Sequence, residues 1–152
     1  MLIEQNYMID IFEISYKEKH VAALVHEIRR KVFVVEGRVD PLHEFDEVEH
    51  DCRHYIAYYK HKAVGTARWR DTDEGIRLER FSVLKEYRNN GVGITLLRRL
   101  MTDILPMRKN IYLHAQTTTV KFFEKAGFKC TGEMFFEANI PHFRMVLINP
   151  IF

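Results

Sequence analysis

The chain has 152 residues, 47% hydrophobic and 29% charged, which fits one soluble globular domain with a sizeable core. Its formal net charge is only +2 and its basic residues are scattered, so nothing in it demands nucleic acid or an anionic membrane as partner. Cys52 and Cys130 lack any framework spacing and read as free thiols of a reducing compartment; with no basic leader before a long apolar stretch and no segment of spanning length, the sequence reads as cytoplasmic.

Tyr7 to Tyr16 alternates around Ile9, Ile11 and Ile14, a first strand. From Lys17 to Val35, Val21, Leu24, Val25, Ile28 and Val32 share one helical stripe, with Glu27, Arg29 and Lys31 largely opposite. Glu36 to Asp51 is acidic and irregular, a surface loop with room for one short helical turn. His54 to Tyr59 and Ala63 to Arg70 are β-leaning runs joined by Lys60-His61-Lys62, a hairpin, and Ile76 to Val83 is the next strand. In that strand Ile76 and Leu78 share a parity that Phe81 and Val83 break. A β-bulge near Glu79-Arg80 accounts for the slip, as does burial of the strand on both faces.

The stretch Leu78 to Met101 organises the chain: a strand enters Arg88-Asn89-Asn90-Gly91-Val92-Gly93 and a strongly periodic helix leaves it. Free amides, missing side chains and a helix dipole suit a phosphate-bearing ligand there, and equally suit a tight connection that binds nothing. Val92 to Leu105 repeats apolar residues three and four apart and Pro106 ends the helix; Asn110 to Ala115 is a short strand; Thr118 to Ala126 is a helix closed by Gly127. Phe128 to Glu137 and Phe143 to Ile148 form a last strand pair around Ala138 to His142. This order predicts a mixed sheet with helices on its faces.

Arg88 to Gly93 matches the R/Q-x-x-G-x-G/A signature of the GNAT N-acetyltransferase superfamily, and Val120-Lys121-Phe122-Phe123-Glu124-Lys125-Ala126-Gly127-Phe128 resembles that family's helix ending in a Gly-Phe pair. VFVVEGRVDPLHEFDEVEHDCRHYIAY and AQ…FFEKAGF…EANIPHFRM resemble its ElaA-like branch, so the likeness covers nearly the whole chain. The resemblance implies an α/β (α+β) fold, a single GNAT-type domain over residues 1–152 whose mixed, mostly antiparallel sheet is flanked by helices and has splayed central strands. It further implies an enzyme transferring the acetyl group of acetyl-CoA to a primary amine of an unidentified small molecule or peptide. The pyrophosphate would meet the amides of Asn89, Asn90, Gly91, Val92 and Gly93, where a Cβ at either glycine would block approach, while Arg88 contacts it or caps the loop. The pantetheine arm would pair with Phe81, Ser82 and Val83, and an N–H near Phe81 would stabilise the oxyanion.

Attack needs a neutral amine, so a proton acceptor is required. Glu79 is the first candidate, against a structural reading as an exposed or ion-paired strand carboxylate; His142, read as a loop residue, is the second. Phe123 stands where many relatives carry a tyrosine able to protonate the leaving thiolate, and Thr117 where many carry asparagine; Thr117, Thr118 or Thr119 could supply the missing hydroxyl. Phe123 also motivates an alternative, a non-catalytic acyl-CoA-binding module. Glu36, Asp40, Glu44, Asp46 and Asp51 would attract a cationic amine if folded over the cleft, or form a solvated loop. His50-x-x-x-His54 has a usable zinc spacing but no second cluster, so no metal is expected. Arg68 and Arg80 either line the cleft or pair with carboxylates, and a homodimer through the last strands is left open.

Overall fold

The computed structural model describes residues 8–40 and 49–150; Tyr7, His43, Glu44 and Asp46 lie outside the described residues. Seven strands form one sheet in the order β1-β2-β3-β4-β5-β7-β6. They are β1 (Ile9–Ile14), β2 (Arg53–Tyr59), β3 (Lys62–Thr72), β4 (Gly75–Val83), β5 (Ile111–Gln116), β6 (Phe128–Glu137) and β7 (Ile140–Leu147). Every pairing is antiparallel except β4 with β5. The helices are α1 (Lys19–Arg29), α2 (Val92–Ile104) and α3 (Val120–Lys125). No helix among the described residues is long and apolar enough to cross a membrane.

The α2 stripe forms as its spacing predicts: Val92, Leu96, Leu97, Leu100, Met101 and Ile104 are all buried, each removal from water being worth about 1.5–3 kcal/mol. β2 and β3 are covered on both faces. Trp69 Nε1 donates to Tyr55 Oη, which donates to Asp103 of α2 at 2.5 Å, while alternate residues His54 and Arg68 point the other way, where Tyr16 stacks on His54 and Arg68 meets Glu49.

α1 departs from the expected stripe. Arg29, expected on the polar side, is 1% exposed and paired with Glu49 at 2.8 Å, whereas Leu24 is 40% exposed. An ion partner on the loop turns the helix toward itself, which apolar periodicity does not register. The helix then widens into a π-helical turn, Arg30–Glu36, of the kind that gathers at functional sites.

The bulge in β4 is present. Thr66 pairs with Ser82 and Arg68 with Glu79, so Arg80 and Phe81 together oppose Ala67, and Arg80 takes a left-handed φ of 57°. It leaves Ile76 and Leu78 in the core and Phe81 and Val83 packed at its margin. At the far end the β6–β7 turn contains only Ala138 and Asn139, both left-handed (φ 51° and 62°). Ile140, Pro141 and His142, expected in a loop, are therefore strand residues.

Candidate active site

β4 and β5 pair only over three residues, Ile76–Leu78 against Ile111–Leu113, and then diverge. The gap opens into a cavity of about 930 Å³ walled by the second half of β4, the start of α2, the end of β5 and the β6–β7 turn. Phe81, Ser82 and Val83 line it at one side and Arg88, Asn89, Gly91, Val92 and Gly93 at one end. Asn90 does not: its Nδ2 donates to the carbonyls of Tyr87 and Arg88 at 3.1 and 3.0 Å, bracing the loop from outside. Thr117 is likewise absent from the wall, which takes Thr118 and Thr119 instead.

Gly91 is the N-cap of α2 and carries no capping side chain, so the first-turn amides open onto the cavity. The protein's own atoms give each glycine a further reason. At Gly91 an added Cβ would meet only Ile9, at 3.9 Å, but φ is 84°; at Gly93 it would come 3.3 Å from the Phe122 ring. Backbone conformation fixes the first and ring packing the second. Arg88 caps the loop, donating from Nε to Val83 O at 3.0 Å, and its guanidinium forms a fork with Glu36 at 2.6 and 3.0 Å, tying the α2 end of the cavity to the π-helical turn. Phe123, 6% exposed, packs edge-on with Phe81, Phe122 and Phe128, so the wall there offers no hydroxyl.

Glu79 lines the cavity as an ion-paired strand carboxylate, the alternative weighed against its role as base. Its side chain is 4% exposed and held by Arg70 Nε at 2.6 Å, Arg68 Nη2 at 3.3 Å and Arg77 Nε at 3.7 Å. Burial alone would raise its pKa, but Arg68, Arg77 and Arg70 together hold it below the usual carboxylate range. Through Arg68 it joins Glu49, and through Glu49 Arg29, a buried chain of alternating charge that runs inward from the cavity wall. A carboxylate so engaged is an anchor for arginines and a poor proton acceptor. Arg68 thus pairs with carboxylates, while Arg80 lines the cavity and also stands 4.0 Å from Glu79 Oε2.

The opposite wall carries a cluster that sequence reading largely missed. His142 is buried, its Nδ1 2.7 Å from Ile140 O. Glu137 Oε1 lies 3.3 Å from Arg77 Nη2 and 3.4 Å from His114 Nδ1, and its Oε2 faces His142 Nε2 at 3.8 Å. The His114 contact and the charge of Arg77 outweigh burial and draw the Glu137 carboxyl down to about 2. Glu137 and His142 are diagonal neighbours across the β6–β7 hairpin, since Phe135 pairs with His142 and Glu137 with Ile140. A two-residue turn at Ala138-Asn139 would have revealed this register.

Among the described residues no group of three or more His, Cys, Asp or Glu is placed to hold a metal, and His54 Nε2 is turned to Glu49 O at 2.7 Å. No disulfide joins Cys52 and Cys130. Of the acidic segment, Glu36 lines the cavity, and residues 41–48 lie outside the described residues.

A sheet split between two parallel strands, with uncapped helix amides at one end of the split and titratable groups at the other, is the build of an acyl-CoA-dependent N-acyltransferase. The chain belongs to the acetyltransferase (GNAT) domain family, whose pattern it matches over residues 15–148. It is 37% identical to the uncharacterized N-acetyltransferase YjcF of Bacillus subtilis over 121 residues, 78% of this chain and 86% of that protein. Its fold superposes on Escherichia coli ElaA with a TM-score of 0.81 at 26% identity, covering 91% of this chain and 99% of that one. A GNAT acetyltransferase from Elizabethkingia anophelis solved with acetyl-CoA bound aligns with a TM-score of 0.65 at 17% identity, over 91% of this chain and 95% of that one.

Proposed function

We propose that the protein transfers the acetyl group of acetyl-CoA to a primary amine by direct attack, with His142 as the proton acceptor. The observation that carries this reading is the continuous cavity from the uncapped α2 amides, past the β4 bulge, to His142. The α2 amides and the Gly91–Gly93 backbone take the pyrophosphate, and the free margin of Phe81–Val83 pairs with the pantetheine arm. The Phe81 N–H, displaced by the bulge at Arg80, faces the carbonyl oxygen as it gains charge. Bound acetyl-CoA in a protein of like fold supports the same co-substrate here. Direct transfer is favoured because neither cysteine lines the cavity, and burial pushes the Cys52 thiol up to about 11.

Phe123 withholds the acid that would meet the departing thiolate, and a thiolate with a parent pKa near 8.5 leaves without one. The test is CoA release from acetyl-CoA with a panel of polyamines, aminoglycosides, lysine peptides and amino acids. Turnover of at least one amine is expected, with His142→Asn reducing kcat/KM at least tenfold while the Kd for acetyl-CoA stays within twofold. Tight acetyl-CoA binding with no acceptor turned over would instead identify a non-catalytic acyl-CoA-binding module.

A further inference from the structure

His142 Nδ1 sits 2.7 Å from the Ile140 carbonyl, which can only accept, so in the neutral ring Nδ1 carries the proton and Nε2 the lone pair. That lone pair faces Glu137 Oε2 at 3.8 Å. The carboxylate is ionised, and its other oxygen is committed to Arg77 and His114. Two acceptors thus face each other on the cavity wall with no donor of their own between them. A nitrogen about 2.9 Å from each fits over that edge and needs two N–H bonds and a positive charge to satisfy both.

We propose that Glu137 and His142 form the seat of the acceptor's ammonium group, so that the acceptor is an aliphatic primary amine, charged in solution, and not an aryl amine. The proposal rests on the transferase reading. Glu137 Oε2 holds R–NH3+, and His142 Nε2 takes one of its protons, leaving a neutral amine in place. The nitrogen lone pair forms the N–C bond to the thioester carbonyl as the C=O π pair moves onto oxygen. When that pair returns, the C–S bond breaks and its electrons leave on sulfur. The second N–H proton passes to the thiolate, giving CoASH and the amide, and His142 returns the first proton to solvent. Glu137 meanwhile stabilises the imidazolium. An aryl amine, neutral at pH 7, gains nothing from this seat.

Initial rates of CoA release with cadaverine, spermidine, N-acetyl-lysine amide and aniline at pH 7.5 test the assignment, together with calorimetric binding of acetyl-CoA. Wild-type protein is expected to prefer the aliphatic amines to aniline at least tenfold in kcat/KM. Glu137→Gln is expected to erase that preference through a raised acceptor KM and a lowered kcat, with acetyl-CoA Kd within twofold, and Glu137→Asp to restore part of it. An undiminished preference in Glu137→Gln, or a loss matched by weaker acetyl-CoA binding, overturns the seat and leaves the transferase reading standing. No turnover of any amine by the wild type overturns both. Nitrogen-15 imidazole spectra of the wild type add a test free of any variant: the neutral form of the His142 ring is expected as the Nδ1–H tautomer, and the Nε2–H tautomer overturns the seat.

Discussion

The left-handed backbone at Gly91 directs the first amides of α2 into the cavity, and within the protein a side chain there is resisted by conformation, with only Ile9 in reach at 3.9 Å. Gly91→Val forces a β-branched residue into a region costing it on the order of 1–3 kcal/mol. The loop is expected to refold around the substitution, weakening acetyl-CoA binding at least tenfold by calorimetry; a folded variant with unchanged affinity would show that these amides are not the phosphate site. The glycine spacing was legible in the sequence as a strand-to-helix turn, and Gly91 takes the left-handed φ that glycine adopts most readily. Its two distinct reasons were not, since Phe122 reaches Gly93 from another helix. The proton acceptors show the same boundary. Glu79 looked available as one carboxylate in a strand, but Arg68, Arg70 and Arg77 are brought to it by the β3–β4 pairing and by alternation along β4 itself. Glu137 and His114 went unremarked because the Ala138-Asn139 turn that sets Glu137 against His142 was not read as a two-residue hairpin, and because Arg77 and His114 reach Glu137 only through the sheet order that places β7 between β5 and β6.

At the level of elements, β4 is both a core strand and one wall of the cleft, and the bulge lets it be both. The two-for-one step at Arg80-Phe81 turns Phe81 and Val83 toward the cavity margin while Ile76 and Leu78 stay buried, and it ends the pairing partnership with β5 soon after Leu78. The buried charges hold this bent strand to its neighbours: Glu79 on β4 binds arginines of β3 and β4, and Glu49, ahead of β2, binds Arg29 of α1 and Arg68 of β3. Removing one member of such a network leaves buried charges without a counterion, at a cost of about 3–5 kcal/mol. Glu79→Gln is therefore expected to lower the melting temperature by roughly 6–20 °C, at about 2–4 °C per kcal/mol for a domain of this size. A general base would behave oppositely. An unchanged melting temperature combined with a tenfold or greater loss of kcat would return Glu79 to the role of proton acceptor.

Across the whole molecule, the element types and order followed from periodicity and turn chemistry, since α2, the β2–β3 hairpin and the Gly127 stop are encoded within short windows. What no window encodes is how charge is distributed through the interior, and that distribution sets the response to acid. His54, 1% exposed, has its pKa lowered chiefly by burial, against the hydrogen bond to the Glu49 carbonyl. A depressed histidine pKa contributes stability fully present above its unfolded value of 6.5 and lost as pH falls below that value. Glu79 and Glu137 are also depressed, so their contributions are present above the ordinary value of 4.5 and lost as pH falls from there, for Glu137 down through about 2. Because Glu137 stands partly in solvent, Glu79 carries the larger share of the second loss. Thermal melts at fixed ionic strength are expected to be level between pH 7 and 8, to decline below 6.5, and to fall more steeply below 4.5. His54→Gln, whose amide can still donate to the Glu49 carbonyl, is expected to remove the first decline and keep the second. A first decline that persists in this variant would move its origin from His54 to another titrating group, with His26, also depressed chiefly by burial, the next to substitute.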